Sequence, residues 1–275
     1  MSAILNSVAV CDLHAGSAID SAASAGLQCL GQAAIEPGDV SVLINVGVYR
    51  ENNIMEPSVA ALIQQKMELN PDPAKVSLQQ RTLSYDLVSG ATGFLNAAML
   101  GNALLQTGSA RNVLIVSADL HPSGQAQQQF PFSTLGAAVL LQASSTEGQG
   151  FGPFLFRTGP AGSPVGYRGQ GALRDFGSNG RAHAIVSTDP DHVVQLGGFA
   201  AATAREFLQR HQITPAQIDM LVTSQLAPNF PHQLARQLDL ADHCYCVDLY
   251  EQQGDPHTSS PGACTGAGWW WRSPA

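Results

Sequence analysis

A chain of 275 residues with 44% hydrophobic and only 12% charged side chains can bury a large core, as one layered domain or as two fused halves. Its net charge of −8 disfavours nucleic acid or an anionic membrane surface as the main partner. The five cysteines, Cys11, Cys29, Cys244, Cys246 and Cys264, include no Cys-x-x-Cys pair, so neither a disulfide framework nor a zinc site is expected, and no cofactor is called for.

In chain order, residues 3–10 read as a strand and 18–34 as a helix with small and apolar residues on most faces. Ile35-Glu36-Pro37-Gly38-Asp39 is a helix stop, and 40–46 is a buried strand. Residues 84–88 form a short strand-like run, Ser89-Gly90-Ala91-Thr92-Gly93 a turn of small residues, and 94–106 an apolar helix ended by Gly108. Val113-Leu114-Ile115-Val116 and 136–141 are further buried strands, and 151–156 alternates enough to pass as another. Residues 158–191 turn to Gly, Pro, Ser and Arg without periodicity, which predicts a long loop or lid. A helix follows over 199–211, then a stop at Ile213-Thr214-Pro215-Ala216-Gln217 and a strand over 218–223. Cys244 and Cys246 fall on one face of a strand, as small core residues. No apolar run is long enough to span a membrane and no signal peptide is visible, so a cytoplasmic location is the default expectation.

Two segments repeat. Ile35 to Ile44 and Ile213 to Val222 share I-x-P-x-x-[VI]-x-x-L-[IV], and Tyr85-Asp86-Leu87 runs parallel to Val247-Asp248-Leu249. A helix–strand–helix–strand unit used twice implies an internally duplicated α/β architecture. Corresponding loops would then face each other across one cleft.

The pattern Asp86-x-x-x-x-Ala91-x-Gly93-Phe94, followed by a helix, Gly108 and a strand over 112–117, resembles the nucleophile loop of the ketoacyl-ACP synthase III branch of the thiolase-fold condensing enzymes. The resemblance implies a thiolase-like α-β-α-β-α fold, with a first half at 1–157, a lid at 158–191 and a shortened second half at 192–275. It also implies an acyl thioester as ligand, carried by CoA or an acyl carrier protein, and a homo- or heterodimer with a thiolase-fold synthase. In the family the residue matching Ala91 is the cysteine that takes the acyl group. A methyl group cannot be acylated.

Two further family positions differ. The strand-end His-Gln pair corresponds to Ser224-Gln225, and the Gly-Asn-Thr run to Gly254-Asp255-Pro256-His257-Thr258, with Asp255 at the Asn position and His257 as a possible replacement imidazole. The resemblance places Glu56 near the dimer interface and acyl tunnel. Arg168, Arg174 and Arg181 could meet a pantetheine or CoA phosphate. The expected function is a noncatalytic or supporting subunit paired with an active condensing enzyme in fatty-acid-like or polyketide-like biosynthesis. The alternatives are an acyltransferase that carries an engineered Cys-to-Ala change at Ala91 or uses a non-standard nucleophile, and an acyl-binding or carrier-docking module. Trp269, Trp270 and Trp271 would expose a large apolar surface unless a partner covers it.

Overall fold

A computed structural model describes residues 2–12, 17–72, 74–125, 127–159, 166–171, 173–189, 191–240 and 244–266; the three tryptophans lie outside them. The first half is built on one mixed sheet of β1 (Ala3–Asp12), β2 (Val42–Asn45), β3 (Leu83–Asp86), β4 (Asn112–Ala118) and β5 (Leu135–Ala143), in the order β1-β5-β4-β2-β3. Strands β2, β3 and β4 are parallel, and β5 runs antiparallel to both β1 and β4.

Because successive strand residues point to opposite faces, each strand feeds two cores. On one face Leu43, Leu114 and Leu140 meet Ala22, Cys29 and Leu30 of α1 (Ala18–Gln32) and Ile63 of α2 (Val59–Lys66). On the other, Val113, Ile115 and Leu141 meet Phe94, Ala97 and Leu105 of α3 (Gly93–Gln106). Full burial of a side chain such as Leu30 contributes about 1.5–3 kcal/mol. The helices lie close: a Cβ on Gly136 of β5 would stand 2.4 Å from the Ser21 carbonyl oxygen of α1.

The segment 158–191 carries β6 (Tyr167–Gly171), α4 (Leu173–Phe176) and β7 (Ala184–Thr188), and the second half α5 (His192–Arg210), β8 (Met220–Leu221), α6 (Phe230–Gln237), β9 (Tyr245–Cys246), α7 (Tyr250–Gln253) and α8 (Ser260–Gly266). Its own core joins Ala201 of α5, Leu234 and Leu238 of α6, and Leu240 and Cys244. The repeat holds at the level of ladder pairing. Val42 opposes Leu83 in the parallel β2–β3 pair, and Met220 opposes Tyr245 in the parallel β8–β9 pair. Those are equivalent positions under the two sequence matches, so both halves use one register.

Three expectations need correction. Residues 158–191 are not all loop: β6 and β7 pair antiparallel, Tyr167 opposite Thr188, and a helical segment over 173–182 connects them. The hairpin is largely exposed, so it carries no burial periodicity to read. Residues 151–156 form no strand; one backbone bond, Phe151 N–H to Ala3 carbonyl, anchors the segment while Phe151 and Phe154 pack on the α3-side core. Helix α5 begins at His192, a full two turns before the apolar-rich stretch at 199.

Candidate active site

The site forms where the turn after β3, the end of β4 and the segment 254–260 converge. Asp86 ends β3, and its carboxylate accepts from the Val59 and Ala60 amides at 2.9 and 2.8 Å and from Asn45 Nδ2 at 2.9 Å. It therefore caps α2 and ties β3 to β2, complementing the positive end of that helix. The chain then passes through Gly90, at φ +55°, into a 3-10 turn over 90–92 that opens α3. The positive φ suits a residue without Cβ. Ala91 is half-buried in this turn. The hydroxyls of Ser89 and Thr92 lie 3.2 Å apart and are spent on each other, with Thr92 Oγ1 also donating to the Ser89 carbonyl at 2.8 Å.

Opposite the turn stands His257. It is buried, 5% exposed, and sits at φ +45°. A Cβ built on Gly90 would lie 3.8 Å from its Nε2, so the imidazole faces the Ala91 turn. Its ring stacks on Phe132, centroids 4.1 Å apart, and is flanked by Tyr49 and Tyr167.

Nδ1 of His257 lies 2.9 Å from Oδ2 of Asp119, which follows directly on β4. The same oxygen accepts from Thr258 Oγ1 at 2.5 Å and Thr258 N at 3.2 Å, and Oδ1 accepts from the Val48 and Tyr49 amides at 2.9 and 2.8 Å. Burial alone would raise the Asp119 pKa, but the His257 charge and these donors outweigh it and hold the carboxyl below its ordinary value. For His257, burial works against the charged form, yet the carboxylates of Asp119 and Asp255 prevail and raise the imidazole above its ordinary value. The two directions agree on a charged, buried pair.

Asp255 is buried too, but its carboxylate points elsewhere. Oδ1 accepts the His257 amide at 2.8 Å and Oδ2 the Tyr167 hydroxyl at 2.5 Å, while burial pushes its pKa up. Tyr167 thereby links β6 to the site. The Asp255 carbonyl receives Ser133 N–H at 2.8 Å beside a bridge between Phe132 and Asp255, which docks this segment on the first half.

Ser224 is half-buried, and among the described residues no hydrogen bond joins its hydroxyl to Ala91, Asp255 or His257. Its neighbour Gln225 is wholly buried and braces the second half, donating to the Val247 carbonyl at 3.0 Å and accepting the Leu249 amide at 2.7 Å. Glu56 is exposed, whereas Glu51 in the same loop caps α1 through the Ala18 and Ile19 amides. Arg168, Arg174 and Arg181 are exposed. Sequence reasoning passed over Asp119, although an acid directly after an uninterrupted apolar parallel strand, at the carboxyl end where α/β sites form, was a usable signal.

Phe132 also lines a cavity of about 380 Å³ with Val10, His121, Phe130, Leu135 and Gln252. No group of three or more His, Cys, Asp or Glu side chains among the described residues could hold a metal, and none of their helices is long and apolar enough to cross a membrane.

No protein-family model matches the chain. The priming β-ketosynthase of a polyketide biosynthetic pathway superposes with a TM-score of 0.73 over 96% of this chain and 86% of that one, at 13% identity. The fold is that of the synthase III condensing enzymes. The Pseudomonas aeruginosa 3-oxoacyl-(acyl carrier protein) synthase III has the same fold at TM-score 0.72, covering 98% of this chain and 89% of its own at 17% identity. A Cys-to-Ser variant of Xanthomonas campestris OleA, solved with lauric acid and lauroyl-CoA, reaches 0.69 over 97% and 90% at 14% identity. In sequence, the chain is 24% identical to the Granulibacter bethesdensis β-ketoacyl-[acyl-carrier-protein] synthase III over 262 residues, 87% of this chain and 72% of that protein. It is 29% identical to the Clostridium perfringens enzyme of the same name over 100 residues, 36% of this chain. That alignment spans 27% of the Clostridium protein's length. In the synthase III fold, then, the turn into α3 holds Ala91, with His257 facing it.

Proposed function

We propose that the protein binds acyl thioesters of CoA or an acyl carrier protein in this cleft, takes no acyl group onto residue 91, and supports an active condensing enzyme as its dimer partner. The observation that carries the reading is a methyl group in the turn that leads into α3, on a scaffold similar to proteins named as synthase III. The chain is then noncatalytic for condensation, because the partner must supply the sulfur. The 380 Å³ cavity beside Phe132 offers partly apolar walls for an acyl or pantetheine chain.

Pairing is supported by the sheet edge. Strand β3 is one of the two edge strands, and Leu83, Val88, Leu95 and Met99 around it expose 42–59% of their surface. An uncovered edge with apolar side chains favours addition of another chain. The test is incubation with decanoyl-CoA followed by intact mass, together with co-expression beside an active synthase III homologue. Unchanged mass and a co-eluting heterodimer are expected; an acylated wild-type protein overturns the reading. A second reading, an acyltransferase that works through other groups, is favoured by the Asp119–His257 pair.

A further inference from the structure

The two nitrogens of the His257 imidazole have different surroundings. Nδ1 is held by Asp119, whereas Nε2 faces the turn of Gly90 and Ala91, 3.8 Å from a Cβ built on Gly90. A carboxylate can only accept, so when the imidazolium, its pKa raised, loses a proton, Asp119 keeps the remaining hydrogen on Nδ1 and leaves the lone pair on Nε2. That is the arrangement of a general base, aimed at the place where the sulfur is missing.

The charges around it select the acceptor. Asp119 and Asp255 are both buried within the shell, and both act on His257. A hydroxyl stays neutral until its proton has moved to Nε2, and the imidazolium formed is the species Asp119 stabilises. An amine acceptor would arrive protonated and would first have to lose that proton.

We propose that His257 is the general base of a direct acyl transfer from a thioester to a hydroxyl group, without a covalent acyl-enzyme. Nε2 takes the proton of the attacking O–H as the oxygen forms a bond to the thioester carbonyl carbon. The carbon–sulfur bond then breaks, and the departing thiolate takes the proton back from Nε2–H. An ester and a free thiol result, and the imidazole returns to its starting state. Asp119 is a positioning residue that sets the tautomer. The inference rests on the acyl-thioester reading of the cleft and names the chemistry left to it once condensation is lost.

The test uses the full chain, decanoyl-CoA as donor and glycerol as hydroxyl probe, with thiol release followed by a chromogenic thiol reagent and products by mass spectrometry. Decanoylglycerol should form while the protein mass stays unchanged throughout turnover. Without glycerol, slower release to decanoic acid identifies water as the acceptor. His257→Gln should lower thiol release about 10²- to 10⁴-fold. The wild-type rate should rise with pH as His257 loses its proton in a shell of Asp119, Asp255, Tyr49 and Tyr167. Asp119→Asn should move that rise to lower pH, which loss of packing alone would not do. The ester, the unchanged mass and the wild-type pH profile do not depend on any variant folding. An acyl adduct on the protein, release undiminished in folded His257→Gln, or release no faster than in buffer overturns the proposal. Calorimetric binding of decanoyl-CoA separates the layers: binding without release removes only the proposal, and no binding removes the thioester reading as well.

Discussion

His257 and Asp119 stand 138 positions apart in sequence and 2.9 Å apart in space, in a pair that is almost wholly closed to water. Removing one member of such a pair leaves the other charge buried without compensation, which costs about 3–5 kcal/mol. Asp119→Ala should therefore lower the unfolding free energy by about that amount, the cost also including the amides of Val48, Tyr49 and Thr258 that lose their acceptor. Urea denaturation of the two proteins measures it, and a loss below about 1 kcal/mol would show that the pair is not charged as described.

The pair also sets a pH window. The Asp119 pKa is lowered from 3.8 on folding, so its contribution is present above that value and lost as pH falls through the folded one. The His257 pKa is raised from 6.5, so its contribution is present below 6.5 and lost as pH rises through the folded one. Asp255, raised by burial, runs the other way, and because the His257 charge offsets part of that rise the substitution pushes it further up. The stability difference between wild type and His257→Gln should thus be largest between pH 3.8 and 6.5 and shrink on either side, as thermal melts across pH would show.

Restoring the sulfur is a third test. Ala91→Cys places a thiol at the opening of α3, where helix N-terminal amides and a neighbouring imidazole favour the thiolate. Incubation with decanoyl-CoA should add one decanoyl group to this variant and none to the wild type. Intact mass reads both, and an inert cysteine would mean that the turn is not an acyl-accepting site.

The edge of the sheet gives a fourth. Leu83 is 59% exposed on the edge strand β3, and Leu83→Lys places a charge where another chain would lie. The variant should sediment as a monomer under conditions where the wild type is a dimer, with an unchanged melting temperature for the monomer itself. A dimer that persists would place the interface elsewhere.

Close packing of the first half supplies the last. Gly136→Ala puts a methyl group into the Ser21 carbonyl and the Cys11 sulfur, 2.4 and 3.0 Å from the built Cβ. Overpacking of this kind costs about 1–3 kcal/mol, which chemical denaturation would detect.

Much of the frame was legible because burial writes a pattern into sequence. Val113 to Val116 reads as a covered parallel strand, and the repeat from Ile35 and Ile213 carries far enough to foretell which residues pair across β2–β3 and β8–β9. The β6–β7 hairpin escaped because its residues face solvent and follow no period. The site was half legible. Ala91 and His257 stand in motifs, so local sequence marks them. Asp119 has no motif, and its role exists only through contacts with Val48, Tyr49, His257 and Thr258 made by the folded chain.

The shared ladder register has a bearing on tolerance to length change. The connection between β8 and β9 is shorter than that between β2 and β3, yet the strand pairs align identically. Whatever is inserted or deleted in those connections is absorbed outside the ladders, so the separation between Gly90 and the imidazole is insulated from it. Residues 61–72 and 226–240, clear of the Val48, Tyr49, Val59 and Ala60 amides and of Gln225, are accordingly the places where this scaffold can be resized to accommodate a different guest without disturbing its chemistry.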